Sequence, residues 1–506
     1  MHSMNAHILT IMAVLPLLGA GLLPWLRSYA RETGLGVSLA TLGLGVWALT
    51  RFDMSQGAQV QLTDTYQWIP SLGISWALGV NALGLLMLLL AVALVPLVLL
   101  ASWGEVPADR QGGFTALVLA LEAFMVVIFS ARDVFLFYVC FEAMLIPVYF
   151  LIGRFGGPGR QRAALKFLLY SLAGGLVMLV GVVALPFYSP TGDLTFTVDA
   201  LAGRLTAPTG TARWMFISFM VAFAIKAPMF PVHTWLPDTA EQATPGTSVL
   251  LIGVLDKIGT YGMISLCLPL FPEASRWAAP VVLLLAAISI IWGALLAIGQ
   301  DDLYRLISFT SISHFGFIVM GIFIGSQVAA TGAMLYMVAH GLSIAGLYLT
   351  TGFLVRRTGT TRISELGGMA RVMPVAAGTF LVSGLASIAL PGLSGFVPEW
   401  MVLTGTFSRS VPLGVAAAAG VVIAAVYIML PYQRVFTGAP APQRVGLTDL
   451  DLREKTLLAP VLVAMFVLGL APFLLTDGLN PVSEQVAAVS SAAPASPTTA
   501  SEGSSK

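Results

Sequence analysis

Residues 220–264 read MVAFAIKAPMFPVHTWLPDTAEQATPGTSVLLIGVLDKIGTYGMI, and this stretch decides the fold. An apolar run carries Lys226 and breaks at Pro228 and Pro231. A polar turn follows with His233, Trp235, Asp238 and Glu241, and a second apolar run carries Asp256 and Lys257. The chain has only five lysines, and two of them sit here inside hydrophobic segments. An ionised side chain at bilayer depth costs roughly 2.5–3.5 kcal/mol, so such residues are expected to be paired and functional. A helix broken inside a membrane survives where its freed backbone lines a wet cavity or packs against protein. The pattern predicts an ion pathway.

The rest of the chain agrees. Of 506 residues, 57% are hydrophobic and 10% charged, whereas soluble domains run near 45–50% and about 25%. Apolar runs of about twenty residues, each long enough to cross about 30 Å of hydrocarbon, recur from end to end. The expectation is an all-α polytopic membrane protein; a β-barrel would alternate in segments of about ten residues. Hydropathy places about 14 transmembrane helices, at 8–27, 34–50, 78–102, 113–130, 133–153, 164–187, 213–232, 246–270, 278–298, 303–324, 329–355, 373–406 (interrupted), 411–433 and 456–475. The longest loops before the tail are 51–77 and 188–212. Residues 1–482 form the expected membrane domain, and the Ala/Ser/Pro-rich stretch 483–506 is expected to be disordered because it has nothing to bury. The N-terminus lacks a basic region, so Ile8–Leu26 is expected as a retained span rather than a cleaved signal.

A net charge of +1 points to neither nucleic acid nor an acidic partner. Cys140 and Cys267 lie far apart in apolar runs without a C-x-x-C; they are expected as packing residues, and no cysteine-ligated iron–sulfur cluster belongs to this chain. Gly43-Leu-Gly45-Val-Trp-Ala48 fits G-x-G-x-x-A but lies inside an apolar span with no strand before it, so no dinucleotide site is expected there. With the N-terminus outside, sixteen Lys and Arg fall on the cytoplasmic side and seven on the outer side, which predicts both termini outside.

Two interruptions occupy corresponding places, one at Lys226-Ala-Pro-Met-Phe-Pro231 and one at Leu390-Pro-Gly-Leu-Ser-Gly-Phe-Val-Pro-Glu399. They lie five spans apart, and an odd offset reverses orientation, so the pattern predicts two inverted five-helix repeats at about 113–270 and 278–433.

Each ionisable residue in these spans has a bland reading beside the functional one. Glu142, flanked by about ten apolar residues on either side, is either a protonated carboxyl in a helix contact or the partner of a buried cation. Lys226 is the natural cation, since an opposite charge about 4 Å away offers roughly 4 kcal/mol at an effective dielectric near 20. Lys257 can snorkel to an interface, but about eleven residues separate it from the start of its span. Asp256, one residue away, points about 100° round the helix and need not pair with it. His233, His314 and His340 lack the clustering of a metal site; as buried histidines they are packing residues or proton relays. Glu399, at the second break, is a helix cap or a proton carrier in unwound, wettable backbone. Glu122 is another buried carboxylate, with no evident partner.

Five stretches carry a resemblance: ARDVFLFYVCFEAMLIPVYFLIG, IKAPMFPVHTWLPDTAEQATPGTSVLLIGVLDKIGTYG, SFTSISHFGFIVMGI, YMVAHGLSIAGLYL and LPGLSGFVPEWMVL. They resemble, in order, the antiporter-like membrane subunits of respiratory complex I, proton-translocating NADH:quinone oxidoreductase. Glu399, where NuoL-, NuoN- and Mrp-type relatives typically carry Lys, and the absence of a long lateral helix make the chain similar to the NuoM-type class. The resemblance implies that Glu142 pairs with Lys226, that Lys257 is the central proton carrier, that His233, His314 and His340 are relays, and that Glu399 leads outward. Two departures stand out: Ala243-Thr-Pro-Gly-Thr-Ser248 replaces the usual A-P-T-A-G-S, and Asp256 stands where an apolar residue is usual.

The resemblance further implies that NADH, FMN, iron–sulfur clusters and quinone belong to partner subunits. Those partners are other complex I membrane-arm chains, NuoL- and NuoN-type and small membrane subunits, in the bacterial plasma (inner) membrane. The expected cycle makes and breaks the Glu142–Lys226 pair and drives a proton to Lys257, then through water and His340 to Glu399. Two other readings stay open at this point, an Mrp-type Na+/H+ antiporter subunit and a non-transporting scaffold.

Overall fold

The computed structural model describes residues 7–491. Helix lies in every stretch that hydropathy singled out. Among the described residues, ten helices are long and apolar enough to cross a membrane alone. The pair Leu452–Leu470 and Phe473–Ser491, bent by 66°, makes an eleventh if counted as one span. Three other expected spans correspond to shorter helices that do not meet that length and hydropathy: Ile8–Leu22 has 15 residues, Thr209–Lys226 has 18 and Pro374–Ser387 has 14.

Burial sorts the helices into an inner group and an outer ring. The apolar window of Leu303–Phe323 is 100% buried, and those of Pro245–Leu270 and Gln327–Thr358 are each 94% buried, against 28% for Arg27–Arg51 and 33% for Val411–Phe436. The inner helices are also those that carry Lys257, His314 and His340. Small residues let backbones approach, as they do where packing rather than hydrophobicity drives association in lipid. A Cβ on Gly316 would lie 2.7 Å from the Ala286 carbonyl, and Ser313 Oγ donates to the Ile290 carbonyl at 2.8 Å. These contacts lock Leu303–Phe323 onto Pro272–Ile298.

Both predicted breaks are present. Thr209–Lys226 ends because Ala227 precedes Pro228, which disfavours the helical conformation before it. The chain resumes as Trp235–Gln242, and the Trp235 indole N–H reaches back to the Ile225 carbonyl at 3.0 Å. That bond satisfies one of the carbonyls the break leaves free. Pro374–Ser387 gives way to Phe396–Phe407 through Ala389 and Gly392, which both take positive φ, at 62° and 92°.

Two features depart from the sequence reading. The 51–77 loop contains a hairpin, β1 (Gln61–Ile69) antiparallel to β2 (Ile74–Val80), with Tyr66 opposite Trp76 and Gly73 at φ 70° in the turn. It is tied to the membrane region by Asp133, whose carboxylate accepts from the amides of Ser75, Phe135 and Leu136 at 2.9–3.0 Å. The second departure corrects the tail boundary. Residues expected to be disordered from 483 are helical to Ser491, because Leu479, Val482, Ser483 and Val486 form an i, i+3, i+4, i+7 stripe that is buried. Residues 492–506 lie outside the described residues.

Candidate functional site

Lys257 lies on Pro245–Leu270, a helix with two π-helical turns, Leu251–Leu255 and Met263–Cys267. Such turns break the regular ladder and recur at functional sites. The Lys257 side chain is wholly buried. Its ammonium donates to the Ile252 carbonyl at 3.1 Å and meets His340 Nδ1 at 3.0 Å, with the Phe315 ring 5.6 Å away. The other His340 nitrogen, Nε2, lies 3.2 Å from Ser311 Oγ.

The line continues by ring contact. His340 and His314 stand edge to face at 5.2 Å between centroids, and His314 Nε2 lies 2.9 Å from the Tyr427 hydroxyl. Tyr336 is 5.7 Å from the His314 ring and donates its hydroxyl proton to Glu399 Oε2 at 3.0 Å. Lys257, His340, His314, Tyr336 and Glu399 are each no more than 3% exposed. Neutral imidazoles and hydroxyls both donate and accept, so three proton-passing groups join the two ionisable groups at the ends of the line.

The structure brings four of the seven predicted residues, Lys257, His314, His340 and Glu399, into this one line. Tyr336, Tyr427 and Ser311 belong to it and escaped the sequence reading, since a hydroxyl in an apolar helix gives no charge signal. The other three lie elsewhere. His233 sits in the first break, stacked on Phe230, and accepts from the Trp292 indole at 3.2 Å. Lys226 and Glu142 stand close to each other without the expected contact pair. Lys226 Nζ has no hydrogen-bond partner and lies over the rings of Phe167 and Phe141, at 5.2 and 5.6 Å. Glu142 Oε1 is likewise unpartnered and is seated against Gly175, where a Cβ would meet it at 1.6 Å. Pro147 denies its helix an N–H, and the helix is interrupted at Met144 between Val134–Ala143 and Leu145–Phe155. Glu142 lies two residues before this interruption.

A charged clamp lies just past the first break. Lys166 and Arg305 hold Asp238 at 2.6 and 2.7 Å, and Arg305 also reaches Glu241 at 3.0 Å. The clamp joins Arg160–Ala184, Trp235–Gln242 and Leu303–Phe323, so it fixes the second half of the first broken helix.

Broken helices around an enclosed line of Lys, His, Tyr and Glu define an antiporter-like, multi-pass integral membrane protein. The family described as NADH:quinone oxidoreductase/Mrp antiporter, transmembrane, matches residues 131–425. NADH-quinone oxidoreductase subunit M of Mycobacterium tuberculosis is 42% identical over 95% of this chain and 94% of its own length. A chain of respiratory complex I from Thermus thermophilus superposes with a TM-score of 0.87 at 30% identity, covering 96% of this chain and all of that one. A chain of the Mrp complex from Dietzia sp. DQ12-45-1b shares the fold at 21% identity, with a TM-score of 0.83 over 96% of this chain and 97% of that one. The chain therefore belongs to the antiporter-like membrane subunits of NADH:quinone oxidoreductase, of the subunit M type.

Proposed function

We propose that this chain translocates protons as a membrane-arm subunit of an NADH:quinone oxidoreductase, with electron transfer in partner subunits as the driving force. The observation that supports this is the buried line from Lys257 through His340, His314 and Tyr336 to Glu399. A non-transporting scaffold has no use for five enclosed ionisable or hydroxyl groups in sequence. In a membrane interior each of them costs stability unless it serves transport.

In this reading Lys226 and Lys257 hold the proton in turn, the histidines and tyrosines pass it on, and Glu399 releases it toward the outer side. Glu142 acts on Lys226 through space across the Phe141 ring rather than by direct contact, so a shift of its kinked helix changes the field at Lys226. The redox groups, NADH, FMN, iron–sulfur clusters and quinone, reside in partner subunits, including the NuoL- and NuoN-type chains, and both termini face outward from a bacterial plasma membrane. The test is NADH-driven proton uptake by the complex reconstituted in vesicles, wild type against Lys257→Ala. Loss of uptake with an assembled complex is expected; uptake at the wild-type level overturns the reading. The Mrp-like fold supports one alternative, a sodium–proton exchanger, which predicts sodium-dependent transport without any redox donor.

A further inference from the structure

Asp256 is used by neither the line nor the clamp, yet it is wholly buried and neither carboxylate oxygen has a hydrogen-bond partner among the described residues. An ionisable group is not left so in an apolar interior without cause, because burying it unpaired is among the largest single penalties a fold can carry. The charged groups whose fields act on it are Lys226 and Lys257.

The helix places it between them. On Pro245–Leu270, Gly253 and Lys257 share one face by i, i+4 spacing. That face meets Gln327–Thr358: a Cβ on Gly253 would lie 3.6 Å from the Gly341 carbonyl, next to His340. Asp256 and Gly259 share a different face by i, i+3 spacing. That second face meets the end of the first broken helix, since a Cβ on Gly259 would lie 2.5 Å from the Phe223 carbonyl and 2.6 Å from the Ala227 amide. Lys226 lies between these two contacts, next to Ala227. The Asp256 amide bonds to the Leu251 carbonyl, five residues back, at 2.9 Å. This π-type bond sets the register of the two faces.

Lys226 and Lys257 thus sit on opposite sides of one helix, Lys257 drawn toward His340 and Lys226 lying on phenylalanine rings. We propose that the Asp256 carboxylate is the transfer station that carries the proton from Lys226 to Lys257. The step balances. As the two side chains swing into contact, an N–H bond of the Lys226 ammonium breaks and an O–H bond forms on Asp256, leaving a neutral amine and a neutral acid. The O–H bond then breaks and the third N–H bond of Lys257 forms, restoring the carboxylate. A neutral Lys257 uses its two N–H bonds on the Ile252 carbonyl and His340 Nδ1, at 3.1 and 3.0 Å, which leaves its lone pair to accept.

This inference rests on the proton-translocating reading above, and its test separates the two. In the intact reconstituted complex, Asp256→Asn, which keeps shape but holds no transferable proton, is compared with Asp256→Glu and Lys257→Ala. Positioned acid–base groups contribute about 100-fold or more, so Asp256→Asn is expected to lower NADH-driven proton uptake at least tenfold, with Asp256→Glu near wild type. A second readout is the infrared difference spectrum between resting and respiring complex, in which a protonated-carboxyl band should move in Asp256→Glu and vanish in Asp256→Asn. Wild-type uptake in Asp256→Asn together with loss in Lys257→Ala overturns this proposal alone. Wild-type uptake in both overturns the translocation reading as well. If Asp256→Asn does not assemble, Asp256→Glu decides, and a spectrum without any band sensitive to that change overturns the proposal.

Discussion

Tyr336→Phe removes one hydroxyl and little else. The ring of Tyr336 stacks on Phe317 at 6.2 Å with an interplanar angle of 7° and faces His314 at 5.7 Å, and a phenylalanine keeps both contacts. What is lost is the hydrogen bond to Glu399 Oε2 at 3.0 Å, between two residues that are each 3% exposed. Hydrogen bonds to charged groups contribute about 1.5–3 kcal/mol, and a buried acceptor left unmade bears the full desolvation cost. The charged form of Glu399 has to appear each time the residue releases its proton. Raising that form by about 1.5–3 kcal/mol slows the last transfer roughly 10- to 150-fold, at about 1.4 kcal/mol per factor of ten. The assay is NADH-driven proton uptake per NADH oxidised in vesicles, with Glu399→Gln marking complete loss. Tyr336→Phe should fall well below wild type while the complex assembles in normal yield. Full uptake in Tyr336→Phe beside none in Glu399→Gln would refute the claim that this hydroxyl stabilises the releasing carboxylate.

Two further perturbations test neighbouring parts of the site. Gly175→Ala forces the Glu142 carboxyl to retreat about 1.8 Å to restore a 3.4 Å contact, since a Cβ there would lie 1.6 Å from Oε1. The displaced atoms end a flexible side chain, so assembly should survive while proton uptake falls toward that of Glu142→Gln; wild-type uptake would show that the seat of Glu142 does not matter. Glu454, wholly buried, takes Arg357 Nη1 and Nη2 at 3.0 and 2.7 Å and joins the end of Gln327–Thr358 to the start of Leu452–Leu470. Arg357 also donates to the Phe353 and Asp449 carbonyls. Glu454→Gln should therefore cost near the low end of the range for a broken buried pair, about 3 kcal/mol. Thermal unfolding of the purified complex measures this, and an unchanged transition rules it out.

Hydropathy made the spans legible because lipid imposes one demand on every residue of a crossing helix. Prolines at 228, 231, 391 and 398 marked both breaks for the same reason: a missing N–H is a local fact. The buried charges announced themselves by cost, and four of them do line up. Contacts set by three-dimensional packing were not legible. Nothing near Gly175 in sequence says that it seats Glu142, and Tyr336 and Tyr427 carry no charge to betray them. The β1–β2 hairpin lay hidden in a loop too short and too polar to register beside spans of about twenty apolar residues. Helix Phe473–Ser491 was missed beyond 482 because its apolar stripe, Leu479, Val482 and Val486, is diluted by the small residues between.

The seats of the two lysines suggest why a proton would move in one direction. Lys226 is held by ring faces at 5.2 and 5.6 Å and by no hydrogen bond. Cation–π attraction of this kind is worth about 0.5–2 kcal/mol. Lys257 has two acceptors at 3.1 and 3.0 Å. Bonds from a charged donor contribute about 1.5–3 kcal/mol each. Both side chains are equally buried, so the two sites differ in what each side chain touches and in the field of Glu142, which acts at Lys226 alone. On contacts alone a positive charge is better held at Lys257 than at Lys226 by about 1–5 kcal/mol, an advantage that a nearby charged Glu142 opposes. With Glu142 drawn away the transfer runs downhill, and the work of coupling falls on reloading Lys226. That is where Glu142 stands, two residues before the interruption of its helix at Met144, so any change in its distance or protonation changes the field at Lys226.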